Sequence, residues 1–135
     1  MQVLKAVLGA VVAAILTSTI VVAGDWEQSR DWYVEIKRAA KYARIAIAHT
    51  GDLVRIDAEQ VVAAKQLQAA AQLPLPERDK AVCTAAAKAV VDFIAAGKAG
   101  NMSSGPTSYE RQYQRWENLS DECIGAIQQR SGSAR

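Results

Sequence analysis

The hydrophobic and polar positions divide the chain into one uniformly apolar stretch and a longer part with helical periodicity. Residues 6–24 carry no charged side chain. As an α-helix this stretch would be about 28 Å long, close to the thickness of a bilayer's hydrocarbon core. A buried helix of a soluble domain is disfavoured, because core helices seldom open a chain so uniformly apolar. The pattern therefore predicts that residues 1–24 form a transmembrane signal-anchor or a signal peptide.

Charges on either side of the apolar stretch predict its orientation. Lys5 precedes the stretch, whereas Asp25 and Glu27 follow it. The positive-inside rule then gives a single-pass inner-membrane protein with its N-terminus in the cytoplasm. Residues 25–135 would lie outside the cytoplasm, which in a bacterium means the periplasm.

The sequence is consistent with either cleavage or retention of the apolar stretch. Residues 21–23, Val-Val-Ala, resemble the cleavage site of a secretory signal peptide, which would release residues 24–135. A retained anchor is preferred, because the apolar run is longer than a usual signal segment and aromatic side chains follow it, as in an interfacial belt. A basic band beyond them suits anionic lipid headgroups. The predicted membrane-interface residues are Trp26, Trp32, Tyr33, Lys37 and Lys41.

The periodicity beyond residue 25 predicts helices throughout. Apolar or small side chains recur at steps of three and four, first at Tyr33, Ile36, Ala40, Ala43 and Ile47. The spacing predicts helices over about 25–50, 52–73, 76–99 and 108–130 in an extracytoplasmic domain of residues 25–130, with a frayed tail at 131–135. The fold class is therefore all-α: an N-terminal transmembrane or signal helix followed by an antiparallel bundle of three to four helices.

Glycine, proline and polar residues mark the predicted ends of these helices. Gly51 can end one helix and Asp52 can cap the next. A seven-residue apolar step runs straight through Gly51, so a kink in one long helix is the alternative to the break that we prefer. The two prolines of residues 74–76 stop the second helix. Thr107 and Glu110 have the spacing of a capping box for the last helix.

The two cysteines predict a covalent link between the last two helices. If these helices form an antiparallel hairpin about a loop centred near residue 103 or 104, Cys83 lies opposite residue 124, one position from Cys123. Cysteines outside the cytoplasm are usually oxidised to disulfides. We therefore predict a Cys83–Cys123 disulfide, which in the chain-entropy model stabilises the fold by roughly 4 kcal/mol. Metal ligation is disfavoured because it needs three or four ligands.

Composition and charge narrow the function classes. Half of the residues are hydrophobic but only 6% are aromatic, which suits alanine-rich helices in close contact. The formal net charge is +2, too small for the phosphate backbone of a nucleic acid to be the expected partner. Two cysteines are too few for a disulfide-dense mini-protein. After these exclusions, the class that the sequence favours is a small helical envelope protein.

Catalytic and cofactor motifs are not found in the sequence. His49 is the one histidine, and its place just before Thr50 and Gly51 suits the C-terminus of a helix. The sequence contains no C-x-x-C-H haem motif, no P-loop, no H-E-x-x-H and no G-x-G-x-x-G. We therefore expect no enzymatic activity, no cofactor and no metal site.

The most aromatic stretch lies at the start of the last predicted helix. Its aromatic residues recur at helical spacing and most simply pack against the third helix. Interfaces between proteins favour Tyr, Trp and Arg, so the same stretch is also the candidate partner-docking surface. The candidate docking residues are Tyr109, Arg111, Tyr113, Arg115 and Trp116.

These observations favour a small, non-enzymatic, membrane-anchored envelope protein that serves as an accessory or structural subunit and docks on a membrane complex. Its expected partners are membrane lipid and an envelope protein. A second hypothesis is a phage-type lysis protein, because an N-in span followed by an external domain with long helices and cysteines is similar in layout to the inner-membrane spanins. A third is a secreted helical binder or inhibitor, released by cleavage after Ala23.

Overall fold

The computed structural model describes residues 25–102 and 105–133, and its regular elements in these ranges are all helical. Helix α1 covers 25–45 and continues as a π-helical turn, Ala46–Thr50; α2 is Leu53–Ala70, α3 is Glu77–Lys98 and α4 is Tyr109–Ser133. The predicted all-α class is confirmed for this part of the chain. The span predicted for residues 1–24 lies outside the described residues. Among the helices that the structure does describe, none is both long and apolar enough to traverse a bilayer.

Helices α1 and α2 pack side by side in opposite directions. The indole Nε1 of Trp32 donates a hydrogen bond of 2.8 Å to the carbonyl oxygen of Gln66. At the other end of the pair, the guanidinium of Arg55 lies 4.6 Å from the centre of the Tyr42 ring. These two contacts join early α1 to late α2 and late α1 to early α2, which defines an antiparallel hairpin around Gly51.

Helices α3 and α4 form the second antiparallel pair, and a disulfide joins them. Cys83 and Cys123 are bonded, with their Cα atoms 4.9 Å apart, and both are fully buried. The predicted disulfide is therefore confirmed. Nearer the connecting loop, the ring of Phe93 makes T-shaped contacts with the rings of Tyr109 and Tyr113 at centroid distances of 5.7 and 5.3 Å. The chain thus runs up, down, up and down through a four-helix bundle.

The connection between α1 and α2 is a true break in the helix. Gly51 adopts φ 65°, in the left-handed region that favours glycine, and its N–H donates to the carbonyl oxygen of Ala46 at 2.7 Å. The carboxylate of Asp52 then accepts a hydrogen bond of 3.1 Å from the N–H of Arg55, which caps α2 as expected. The apolar seven-residue step through Gly51 therefore does not mark one continuous rod.

The cap of α4 differs from the prediction by one residue. Ser108, not Thr107, accepts the N-terminal hydrogen bond, from the N–H of Arg111 at 3.4 Å. The hydroxyl of Thr107 instead accepts from the side chain of Asn101 at 3.5 Å, which ties the two ends of the loop together. The predicted capping box of Thr107 and Glu110 is therefore wrong.

Alanine is the commonest residue of the core, with nine buried members, and its small side chain lets the helices approach closely. Five aromatic and seven larger aliphatic residues fill the space that alanine leaves. The buried members of the core cluster are Trp32, Tyr33, Ile36, Ala40, Ala43, Ala46, Ile56, Ala63, Ala70, Leu73, Leu75, Cys83, Ala86, Ala87, Ala89, Val90, Phe93, Ile94, Ala96, Tyr109, Trp116, Cys123 and Ile127. Leu73 and Leu75 belong to the α2–α3 turn, where they bury their side chains on either side of Pro74.

Gly97 allows a close contact of α3 with the turn that follows α1 and with Tyr109 of α4. A Cβ atom added there would lie 2.7 Å from Cδ1 and 2.9 Å from Cγ2 of Ile47, and 3.1 Å from Cδ2 of Tyr109. These distances are shorter than ordinary van der Waals contacts. The absence of a side chain at Gly97 therefore lets the last turn of α1 rest on α3 beside Tyr109.

We expect Gly97→Val to lower the free energy of unfolding by about 1–3 kcal/mol, because the added methyl groups overpack the contact with Ile47 and Tyr109. The matched control is Ala95→Val, which adds the same branched side chain at an exposed position of α3. The control should cost only about 0.5 kcal/mol of helix propensity. Chemical denaturation followed by circular dichroism measures both; equal losses would show that Gly97 is not a packing requirement.

Candidate functional site

An open groove with a volume of about 520 Å³ lies between α1 and α4. We call it the α1–α4 groove. The residues that line it from α1 are Tyr33, Lys37, Lys41, Arg44, Ile45 and His49, and those from α4 are Tyr113, Trp116, Glu117, Ser120 and Asp121.

Helical spacing places each set of lining residues in one row. On α1, Tyr33, Lys37 and Lys41 follow one another at steps of four, which is slightly more than one turn. On α4, Tyr113, Glu117 and Asp121 do the same. Each helix therefore presents a continuous edge to the groove.

Aromatic rings form the floor of the groove. Trp116 and Tyr33 are buried, and Tyr113 is half-buried between the groove and Phe93. The phenol of Tyr33 lies near the side chain of Ser120, so these two residues stand at the same level of α1 and α4. Burial raises the pKa of the Tyr33 phenol above 10.0, with the nearby Ser120 side chain acting in the opposite direction. The floor is consequently rigid and uncharged at neutral pH.

Arg44 joins α1 to α4 at one end of the groove. Its guanidinium carbon lies 3.7 Å from the centre of the Tyr113 ring, and its Nη1 donates a hydrogen bond of 3.4 Å to the Tyr109 hydroxyl. The same nitrogen is 3.9 Å from a carboxylate oxygen of Glu110. Stacking, hydrogen bonding and an ion pair therefore converge on one side chain, and Arg44 holds the two walls together.

The charged edges of the groove are not neutralised within the part of the chain that the structure describes. Lys37 and Lys41 are exposed and form no ion pair there; Lys37 Nζ lies 6.0 Å from the centre of the Tyr33 ring. Glu117 and Asp121 are likewise exposed, and no cation lies within ion-pair distance of them in these ranges. One wall therefore offers two ammonium groups and the other two carboxylates, with the aromatic floor between them.

The structure divides the predicted membrane-interface residues into three groups. Trp32 and Tyr33 are 5% and 8% exposed and belong to the core. They lie on the side of α1 that faces the other helices, and Tyr33 also lines the α1–α4 groove. Trp26 is half-buried, with the guanidinium of Arg30 at 4.8 Å from its ring centre. The two remaining members, Lys37 and Lys41, belong to the groove.

The candidate docking residues are divided in the same way. Tyr109 and Trp116 are buried and pack the bundle, as the simpler interpretation of the sequence had it. Tyr113 is half-buried at the groove. Arg111 and Arg115 are exposed on a different side of α4, which they share with Gln114 and Asn118. The α1–α4 groove therefore combines two predicted docking residues, Tyr113 and Trp116, with two predicted membrane-interface residues, Lys37 and Lys41.

Six lining residues are not among those predicted for docking or for the membrane interface: Arg44, Ile45 and His49 on α1, and Glu117, Ser120 and Asp121 on α4. The four-residue step from Tyr113 to Glu117 and Asp121 was a usable signal, because it places a carboxylate pair in line with an aromatic residue. No pattern in the sequence indicates that α1 pairs with α4. That pairing joins parts of the chain that are more than sixty residues apart.

The remaining candidate groups do not form a reactive centre in the described ranges. His49 is exposed in the π-helical turn at one end of the groove, whereas Ser120 lies toward the other end, beside Tyr33. No cluster of three metal-ligating side chains occurs among the residues that the structure describes. Both cysteines are consumed by the disulfide.

Comparison of the chain with protein-family models, with curated proteins and with solved structures returned no match in any of the three.

Burial of Tyr109 makes the stability of the bundle sensitive to alkaline pH. Burial raises the pKa of its phenol above 10.0, and the nearby Arg44 guanidinium opposes this shift. The unfolded chain therefore loses the proton first, so stability is complete below pH 10 and falls as pH rises through the pKa of the folded state. We expect the melting temperature of Tyr109→Phe to fall less steeply than that of the wild type from pH 10 upward. Thermal melting between pH 7 and 11 tests this; parallel curves would contradict it.

Proposed function

We propose that this chain is a small, non-enzymatic envelope protein, anchored by a single pass, whose helical domain docks a partner protein of a membrane complex. In this role it is an accessory or structural subunit. The observation that carries the proposal is the α1–α4 groove, which combines an aromatic floor with unneutralised charges on both edges.

The composition of the groove favours binding to a protein. Tyr, Trp and Arg are the residues that most often anchor protein interfaces, and here Tyr113, Trp116 and Arg44 are held in place by packing and stacking. A rigid aromatic site loses little conformational entropy when a partner binds. Its His and Ser lie toward opposite ends, so the groove brings no nucleophile and base together.

The proposed location rests on the N-terminal sequence and on the disulfide. Residues 6–24 are long and apolar enough for a membrane span, and the flanking charges favour an N-in orientation. The Cys83–Cys123 bond fits an oxidising compartment such as the periplasm. Of the two alternatives, the spanin-like lysis protein shares this location, and the secreted binder differs by cleavage after Ala23.

The proposal predicts that a partner covers the α1–α4 groove in the cell. A photo-crosslinking amino acid at Ile45, which is 40% exposed beside the groove, should give one adduct of defined mass in intact cells. The same substitution at Val54, which is 81% exposed on α2, is the matched control and should give no such adduct. The adduct at position 45 should decrease when Lys37 and Lys41 are replaced by glutamate.

Equal crosslinking at both positions, or none at Ile45, would contradict docking through the groove. Fractionation of the same cells tests the anchor: the intact chain with Met1 is expected in the membrane fraction. A soluble periplasmic chain beginning at Gly24 would instead support the secreted alternative.

A further inference from the structure

The charge pattern of the α1–α4 groove indicates what kind of partner segment it takes, given the docking function proposed above. We infer that the occupant is an amphipathic helix of a partner protein with an aliphatic ridge, carboxylates along the flank that faces α1, and amino or guanidinium groups along the flank that faces α4.

A helix fits the groove better than an extended peptide because of the backbone. Both walls are α-helices, whose backbone N–H and C=O groups are already bonded within each helix. They leave no free edge to which an extended strand could bond, as it would at the edge of a sheet. A helical segment satisfies its own backbone and needs only side-chain contacts, in the manner of helices that pack ridge into groove.

The positions of the charges give the occupant two different flanks. Lys37 and Lys41 lie one turn apart on α1, and Glu117 and Asp121 lie one turn apart on α4. The contacts of Tyr33 with Ser120 and of Arg44 with Glu110 place Lys37 close to the level of Glu117, yet the two side chains are not within ion-pair distance. A helix lying between the rows can pair with both, so its own flanks must carry opposite charges.

The floor between the charged rows selects an apolar ridge. Tyr113 and Trp116 face the groove from α4, and Ile45, which is 40% exposed, adds an aliphatic surface from α1. Side chains at positions i, i+3 or i+4, and i+7 of a docked helix would follow this line. Leucine, isoleucine or methionine at these positions would bury apolar surface against the rings.

The same charges disfavour an anionic lipid headgroup as the occupant. A phosphate beside Lys37 and Lys41 would also face the carboxylates of Glu117 and Asp121 across the groove. Repulsion from that wall offsets the attraction of the lysines. The acidic wall thus favours the mixed-charge helix.

Three synthetic helical peptides with the same leucine ridge provide the probes. The first has glutamates on one flank and lysines on the other, the second has glutamates on both flanks, and the third has lysines on both. Binding to the full-length protein in detergent is measured by fluorescence anisotropy. The mixed peptide should bind about tenfold more tightly than either other peptide, as expected for several partly exposed ion pairs.

Charge exchange in the groove makes the test specific. In the half-exchanged variant, Lys37→Glu with Lys41→Glu, both walls are acidic, so the preference should change to the lysine peptide. In the fully exchanged variant, which adds Glu117→Lys and Asp121→Lys, preference for the mixed peptide should return, because the helix can bind in the reverse direction. The exposed pair Lys65→Glu and Arg78→Glu lies outside the groove and should leave the preference unchanged.

Peptide affinities that do not depend on the flank charges, or that do not follow the charge exchanges, would overturn the inference. Binding to vesicles of phosphatidylglycerol, lost in the half-exchanged variant while all peptides fail to bind, would assign the groove to lipid instead. The proposed docking function is tested separately by the adduct at Ile45. An adduct there without a preference for the mixed peptide would leave docking supported and reject only the mixed-charge helix.

Discussion

The Cys83–Cys123 disulfide is the constraint on which the rest of the bundle depends. It closes a segment with a sequence separation of 40 residues and fixes α3 against α4 in a single register. That register seats Phe93 against Tyr109 and Tyr113. A core rich in alanine makes close contacts but buries little apolar surface per side chain, so a covalent link supplies a large part of the net stability of a domain this small.

The α1–α4 groove is a consequence of this arrangement. Phe93 packs against Tyr109 and Tyr113 of α4, and Arg44 of α1 contacts both tyrosines as well. The guanidinium of Arg44 stacks on the Tyr113 ring and donates a hydrogen bond to the Tyr109 hydroxyl. Gly97 allows the end of α1 to come close enough for these contacts. The two charged walls are then held apart over a rigid aromatic floor, a geometry that suits a partner helix and follows from contacts within the bundle.

The helices and the cap of α2 were predictable from local patterns in the sequence. Among the contacts between distant parts of the chain, the disulfide was predictable because cysteines bond to each other. Helical periodicity predicted four helices, Asp52 was recognisable as a cap, and the disulfide followed from the equal heights of two cysteines in a hairpin. Trp32 and Tyr33 were assigned to a membrane interface because aromatic residues just beyond an apolar stretch are typical of interfaces, although the same spacing also suits a core stripe. No sequence pattern indicated that Phe93 packs against the tyrosines of α4 or that α1 pairs with α4. The residues of the groove were therefore predicted as two separate sites, one at the membrane interface and one for docking.

Amide hydrogen exchange along α4 tests most directly whether the disulfide controls the groove. The comparison is between the oxidised protein and the variant Cys83→Ala with Cys123→Ala. Loss of the link should speed exchange from Tyr109 to Asp121 by about thirtyfold or more, which corresponds to a loss of about 2 kcal/mol of stability. Unchanged protection of these amides in the variant would show that packing alone positions α4, and would contradict the account.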